Sequence, residues 1–172
     1  MITITYHPLL NRKAARNGEP AQDGMRFCIA YDAQFIYFAA IADDAHPEAI
    51  RAVEYRTNAS LRGDDRVALR LDPFGNFADD HRFEINPRGA TNMQIPGATA
   101  KKRECKSEAV ADGRTTDRGW ECEARIPWAV MRLPSAGKRT LRFNVTRDLQ
   151  RTNRGYNWRD VSGGKSQNAG YW

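Results

Sequence analysis

The segment Arg66-Val67-Ala68-Leu69-Arg70-Leu71-Asp72 alternates apolar side chains with polar or small ones. In an extended chain, Val67, Leu69 and Leu71 fall on one side and both arginines fall on the other. This period of two predicts a β-strand with one face in the core and the other towards solvent. An aspartate and a proline follow the last leucine, which is typical of a strand end.

The same period recurs along most of the chain. It predicts further strands at residues 27–31, 35–42, 81–86, 91–95, 120–126 and 140–148. A short helix is predicted after Pro47, and a turn or short helix over Trp128 to Met131. Residues 96–118 carry many charges and few large apolar side chains, which predicts a hairpin or loop with one irregular strand near residues 105–110. Several strands at intervals of ~8–12 residues, with so little helix, predict an all-β antiparallel β-sandwich of jelly-roll type.

The chain has 172 residues, of which 41% are hydrophobic and 28% are charged. A single domain of this size folds without disulfide or metal cross-links. We therefore expect one domain over residues 1–172, less regular at 1–25 and 150–172. No apolar run approaches the ~18–20 residues of a membrane helix. The start of the chain also lacks the pattern of a secretory signal.

Three cysteines, Cys28, Cys105 and Cys122, argue against a disulfide framework because their number is odd. Alternation predicts that Cys122 is buried beside Trp120, and Cys28 is interpreted in the same way. Cys105 lies among lysine and glutamate residues and is predicted to be more exposed. A single disulfide is an open alternative, and the sequence does not indicate which pair would form it.

The formal net charge is +6, and the excess is concentrated in the C-terminal third. Tyr156 and Trp158 are interleaved with its arginines. Such a surface suits an anionic glycan, but the same mixture binds single-stranded nucleic acid by stacking and phosphate contacts. The charges do not distinguish these two partners.

A set of motifs in a fixed order resembles the family 9 carbohydrate-binding modules and the wider family-9-like group. The motifs are Tyr31-Asp32, Ile36-Tyr37-Phe38, Asp43-Asp44, residues 64–72, residues 82–89, residues 119–128 and residues 141–147. The resemblance covers most of the chain, from about Phe27 to about Trp158. It favours a glycan over nucleic acid as the partner.

The resemblance implies a β-sandwich that binds a polysaccharide or oligosaccharide and has no catalytic centre. It also implies an extracellular or cell-envelope module of a glycan-degrading system. In that family a glycan end lies between two tryptophans. Trp158 or Trp172 matches one of them, but residues 61–63 occupy the place of the other. Because no tryptophan follows Asp23-Gly24, the opening strand is predicted to be altered or absent.

Trp158 and Trp172 are predicted to stack on sugar rings, because an indole offers a flat apolar face to the C–H groups of a pyranose. Trp120 and Trp128 are predicted to be structural. Arginine and asparagine side chains on strand 140–148 are predicted to point outward towards the ligand. The polar and aromatic candidates for sugar contact are Arg147, Asn144, Asn86, Arg88 and Tyr156.

Aspartates recur at predicted strand ends, and bound calcium is common in the family. Asp43, Asp44 and Asp72 are the candidate ligands, because calcium takes ~6–8 oxygen atoms. Asx turns are the competing interpretation. Binding itself requires no cofactor. Two other functions stay open: a structural domain of a larger cell-envelope protein, and a small enzyme acting on acidic glycan.

Overall fold

A computed structural model describes residues 3–7, 23–75, 81–96, 109–131, 133, 141–158 and 170–171, with the backbone alone at 3–7 and 170–171. Within this part of the chain lie eleven strands: β1 Thr3–His7, β2 Met25–Tyr31, β3 Phe35–Asp43, β4 Arg66–Asp72, β5 His81–Ile85, β6 Thr91–Gln94, β7 Val110–Thr116, β8 Gly119–Pro127, β9 Arg142–Leu149, β10 Arg154–Asn157 and β11 Gly170–Tyr171. Short 3-10 helices cover Pro47–Ala49, Trp128–Met131 and Gln150–Thr152. None of the described helices has the length and apolar character needed to cross a membrane.

The strands form two sheets. The first sheet has the order β1-β2-β3-β8-β7, and the second has the order β10-β9-β4-β5-β6 with β11 also paired to β9. Every described strand pair is antiparallel. The predicted all-β antiparallel sandwich is therefore confirmed.

The core lies between the sheets and is built by the alternation that the sequence shows. On β4, Leu69 lies opposite Phe83 of β5 on one side and Val145 of β9 on the other. Ile36 and Phe38 face them from the first sheet, and all five side chains are buried. Each contributes roughly 1.5–3 kcal/mol by leaving water, so the two inner faces hold the sandwich together.

Two strands bear on the sequence-based expectations. Of the two alternatives for the opening strand, altered or absent, absence is wrong, because β1 pairs with β2 along its whole length. In addition, β7 at Val110–Thr116 is a regular strand paired with β8, where the sequence predicts a hairpin or loop with an irregular strand near residues 105–110. At the inward position of β7 stands Gly113, where a Cβ atom would lie 2.8 Å from the carbonyl oxygen of Asn86. A large apolar residue is excluded there, so the usual strand signal is missing.

The sequence predicts structural positions for two tryptophans and two cysteines, and the structure shows where each one lies. Trp120 is buried in the core, as predicted, and the indole of Trp128 donates a hydrogen bond to the carbonyl of Asp32 at 2.9 Å. Cys122 is also buried, which raises the pKa of its thiol to about 12. Cys28 corrects the prediction: it is half-buried on the opposite face of its strand from Phe27 and Ile29. Within the described part of the chain, neither thiol forms a disulfide.

Candidate functional site

The outer face of the second sheet carries a group of charged side chains. We call this group the arginine face; its members are Arg66, Arg70, Arg82, Glu84 and Asp148. The residues alternate with the core positions of β4, β5 and β9, so the pleat of the sheet directs them away from the core. Ala68 lies at the centre of this face and is itself covered, with 3% exposure.

Ion pairs between strands and along β5 hold four of these five residues together. Arg66 reaches Asp148 at 2.5 Å and Glu84 at 3.4 Å, and Arg82 reaches the same Glu84 oxygen at 3.4 Å. The amide of Asn92 donates to the other Glu84 oxygen at 2.8 Å. Glu84 thus forms ion pairs with two arginines and accepts a hydrogen bond from one amide.

Positive charge exceeds negative charge on this sheet face, since four arginines stand against three carboxylates when the cross-strand neighbours Arg142 and Asp72 are included. Arg70 and Arg82 are direct cross-strand neighbours. Burial lowers the pKa of Arg70 to about 10, and the adjacent charge of Arg82 adds to this effect. A ligand oxygen that accepts hydrogen bonds from this pair would offset both terms.

One predicted contact residue borders the arginine face. Asn144 lies opposite Arg70 in the register of β9 and β4. Its side chain is nevertheless fully buried, and its oxygen accepts a hydrogen bond from the backbone N–H of Val145 at 2.9 Å. The register of β9 places Asn144 on the outer face, as predicted, but its side chain is buried there and not exposed to a ligand.

Arg147 does not point outward, so that prediction is wrong. Arg147 follows Phe143 and Val145 at every second position along β9, so it lies on the same, inner face of the strand. Its side chain is between the two sheets and only 2% exposed. Its guanidinium donates to the carbonyl oxygens of Gly24 and Asp43 at 2.9 and 2.5 Å.

The inner arginine cluster, which we define as Arg147, Arg151 and Asp44, links the second sheet to the loop after β3. Asp44 accepts from Arg147 at 3.1 Å and from Arg151 at 2.7 Å. Burial opposes its ionisation, but hydrogen bonds from Arg151 and from the backbone N–H of His46 outweigh burial and lower the pKa of Asp44. The charge of Arg147 acts in the same direction.

The two described aromatic candidates lie on the inner side of the second sheet. Tyr156 is buried and faces Arg147 across β10 and β9. Trp158 stacks on Phe143 with 5.2 Å between the ring centroids, and meets Phe27 edge-on at 5.4 Å. Stacking of Trp158 on a sugar stays a prediction, but Phe143 covers one face of the indole.

Asn86 and Arg88 follow β5 and differ in exposure. Asn86 is fully buried; its amide N–H donates to Asp64 at 2.7 Å and to the carbonyl of Glu54 at 2.8 Å. Its oxygen accepts from the backbone N–H groups of Arg88 and Ala90. Asn86 therefore organises two loops, whereas Arg88 is exposed. The structure does not bring these two residues together with Arg147 or Trp158 in one site.

The candidate calcium ligands engage other partners. Asp44 binds the two arginines of the inner cluster, and Asp43 lies 3.6 Å from Arg26. Asp72 is buried and accepts from the backbone N–H of Phe74 at 3.2 Å, as in an Asx turn. Among the described residues, no group of three or more histidine, cysteine or acidic side chains is placed to hold a metal ion. Trp172 and Cys105 lie outside the described residues.

Comparison with solved structures places this fold beside carbohydrate-binding modules. A family 9 carbohydrate-binding module from Caldicellulosiruptor kristjanssonii in complex with glucose superposes with a TM-score of 0.62 at 14% identity, covering 99% of this chain and 82% of that chain. A family 9 module from the same organism with cellotriose gives 0.61 at 16% identity, covering 88% and 74%. The fold is that of the family 9 modules.

A third solved structure shares the fold. A Bacteroides uniformis protein inferred to bind carbohydrate gives a TM-score of 0.62 at 18% identity, covering 91% of this chain and 77% of that chain. No protein-family model and no curated protein matches the sequence significantly. At these identities the family 9 likeness establishes the fold, and the binding residues must be argued from this chain.

The sequence-based prediction did not include the arginine face. The signal was nevertheless present, because Arg66 and Arg70 alternate with core residues on one predicted strand and Arg82 and Glu84 do so on another. What the sequence did not contain was the pairing of β4 with both β5 and β9. That pairing brings Asp148 next to Arg66.

Proposed function

We propose that the protein binds carbohydrate without chemically converting it, and that the arginine face is the binding surface. The observation that carries the proposal is the group of three arginines and two carboxylates on one sheet face, in which all but Arg70 form ion pairs of 2.5–3.4 Å. Sugars need several convergent donors and acceptors, because a hydroxyl that loses water without a new partner is costly. The fold shared with modules solved with glucose and cellotriose supports this proposal.

Among carbohydrates, we favour a plant or microbial polysaccharide that carries carboxylate groups, such as a uronate polymer. Arg70 and Arg82 lie side by side, and burial together with the charge of Arg82 lowers the pKa of Arg70. A ligand carboxylate would bind such a pair through charge-assisted hydrogen bonds. Neutral hydroxyls could use Asp148, whose side chain is 31% exposed, as an acceptor on the same face.

The setting that fits this function is an extracellular or cell-envelope module that keeps a larger glycan-degrading system on its substrate. Trp172 is proposed as a stacking residue in addition to the arginine face. Calcium, if bound, would be structural. Adding calcium to chelator-treated protein should then raise the midpoint of thermal unfolding, and an unchanged midpoint would remove calcium from the proposal.

The test is affinity electrophoresis in gels that contain polygalacturonate, followed by calorimetric titration with its hexamer. The variants are Arg70→Ala and Arg82→Ala, and the control is Arg118→Ala, an exposed turn residue of the first sheet. Each face variant should bind about tenfold more weakly, equivalent to roughly 1.4 kcal/mol. The control should bind as the wild type does.

Three results would count against the proposal. If acidic and neutral polysaccharides all fail to retard the wild type, a structural role in a larger protein is favoured. If retardation survives both face variants, the arginine face is not the site. Release of reducing ends from polygalacturonate, lost on mutation of Glu84 or Asp148, would identify an enzyme instead.

A further inference from the structure

The outer face of the first sheet carries a separate groove that crosses four strands. We call it the trough. It has a volume of about 470 Å³. Its outward-facing side chains form two rows of cross-strand neighbours: Cys28, Ala39, Glu123 and Asp112 in one row, and Ala30, Tyr37, Arg125 and Val110 in the other. Since neighbouring strands lie ~4.8 Å apart, the rows extend about 14 Å.

Small side chains make the floor of the trough. Cys28, Ala30 and Ala39 lie side by side on β2 and β3, with Val110 59% exposed on the far strand. The next position along β3 is the larger Ile41, which lies outside the groove. The floor is therefore a shallow apolar strip open to solvent.

Tyr37 and Arg125 rise from this floor in fixed orientations. The hydroxyl of Tyr37 donates to Asp32 at 2.8 Å, and Asp32 is itself held by the backbone N–H groups of Gln34 and Phe35 at 2.7 Å. The guanidinium of Arg125 lies over the Phe35 ring, 4.7 Å from its centroid. The Tyr37 ring is thus preorganised as an apolar surface, with arginine donors beside it.

Two carboxylates stand together on β8 and β7, beside Arg125 and in the row of Cys28 and Ala39. Asp112 and Glu123 are direct cross-strand neighbours, an unfavourable placement for like charges. Within the described part of the chain neither forms an ion pair, whereas the next outward pair, Glu121 and Arg114, forms one. The trough therefore offers acceptor oxygens to a donor-rich ligand and repels an anion.

We propose that the trough is a second glycan-binding surface, specific for a neutral polysaccharide chain. Sugar C–H faces would pack on Tyr37 and the small-residue floor. Hydroxyls would donate to Asp112 and Glu123 and accept from Arg125. An acidic glycan is disfavoured by the carboxylate pair. The charge preference is the opposite of that proposed for the arginine face, so one domain would hold two unlike glycans on its two outer faces.

The test measures binding of the full chain to cellohexaose, xylohexaose and mannohexaose by calorimetry. Ala39→Trp fills the trough, and Ile41→Trp adds similar bulk on the same strand and the same outer face but outside the groove. For whichever hexasaccharide binds the wild type, Ala39→Trp should weaken binding by about tenfold or more. Tyr37→Ala should also weaken it. Ile41→Trp should leave it within about twofold, which is less than 0.5 kcal/mol.

The failures of the two proposals can be told apart. If no neutral hexasaccharide binds, or if Ala39→Trp binds like the wild type, the trough proposal is overturned, whatever polygalacturonate does. Loss of neutral binding in Arg82→Ala with retention in Ala39→Trp would also overturn it and assign both ligands to the arginine face. A third result would be that the wild type binds a lysine-rich peptide but no sugar, and that Ala39→Trp blocks this binding. The trough would then bind a cationic partner, and the glycan proposal would be overturned. Loss of acidic binding alone in Arg82→Ala, with neutral binding lost only in Ala39→Trp, supports both sites.

Discussion

The second sheet carries arginines on both of its faces, and the two groups differ in their exposure and in what their guanidinium groups contact. On the inner face, Arg147 is 2% exposed and donates to two backbone carbonyls and to Asp44. On the outer face, Arg66 and Arg82 share Glu84, and the Arg82 side chain keeps 30% exposure. The inner group fastens one sheet to the other, whereas the outer group is held in place yet accessible.

This difference shows that the face of the strand on which an arginine lies, more than its residue type, decides whether it is structural or available to a ligand. In β9, Arg147 is two residues from Val145 and faces the core with it, while Arg142 and Asn144 belong to the other face. A shift of one position exchanges the two faces of a strand. A search of the sequence for basic residues therefore selects structural arginines together with possible binding residues.

The largest effect is expected from removing the inner arginine. Arg147→Ala leaves Asp44 buried with Arg151 as its remaining cation, and it removes one hydrogen bond from each of the Gly24 and Asp43 carbonyl oxygens. Breaking a buried pair in this way costs about 3–5 kcal/mol, so the free energy of unfolding from urea titration should fall by that amount. A loss below about 1 kcal/mol would show that the inner cluster does not hold the sheets together.

Trp158→Ala should be the next most damaging change. The indole packs on Phe143 and Phe27, and removal of a large aromatic side chain from such a place costs about 3 kcal/mol. Urea titration measures the loss, and affinity electrophoresis of the folded variant measures its effect on polysaccharide binding. Retardation unchanged after correction for the unfolded fraction would indicate that Trp158 is structural. Loss of retardation in fully folded protein would restore it as a stacking residue.

The inner cluster should also respond to acid. Because the folded-state pKa of Asp44 lies below its ordinary 3.8, its ionisation stabilises the fold above about pH 4, and this contribution is lost as pH falls through the folded pKa. The stability difference between wild type and Asp44→Asn should therefore be wide at pH 7 and narrower at pH 3. Urea titrations at both values test this, and an equal gap at the two would contradict the assignment.

The smallest effect on stability is expected on the outer face. Arg82→Ala removes a partly exposed partner from Glu84, which keeps Arg66 and Asn92, so the loss should stay near or below about 1 kcal/mol. The same variant is expected to lose polygalacturonate binding. Large destabilisation with unchanged binding would reverse the comparison and make the outer arginines structural.

Much of the fold could be predicted from the sequence. The strand ends near Pro127, the loop at Asp32 and the inward direction of Phe83 and Ile85 all agree with the structure. The missed strand, β7, carries Gly113 at an inward position because it lies against the turn after Asn86. That contact joins segments far apart in the chain, and no local pattern reports it.

The candidate site was less predictable than the fold. Asn86 was predicted to contact sugar, yet its amide is fully engaged with loop backbone and Asp64. Its residue type and its place at a strand end fit either role, and only its burial decides between them. Arg66 and Glu84 were present as outward residues on predicted strands, but their partnership depends on which strands are neighbours.

The sequence by itself determined the alternation, and with it the strands, the core positions and the all-β class, because burial of one strand face is a local periodic property. The tertiary structure decided which polar side chains meet. It placed Arg66 between Glu84 and Asp148, buried Arg147 against Asp44 and aligned Tyr37 with Arg125 across the trough. These contacts follow from strand order and register, which arise from packing over the whole sandwich and are not encoded in any one segment.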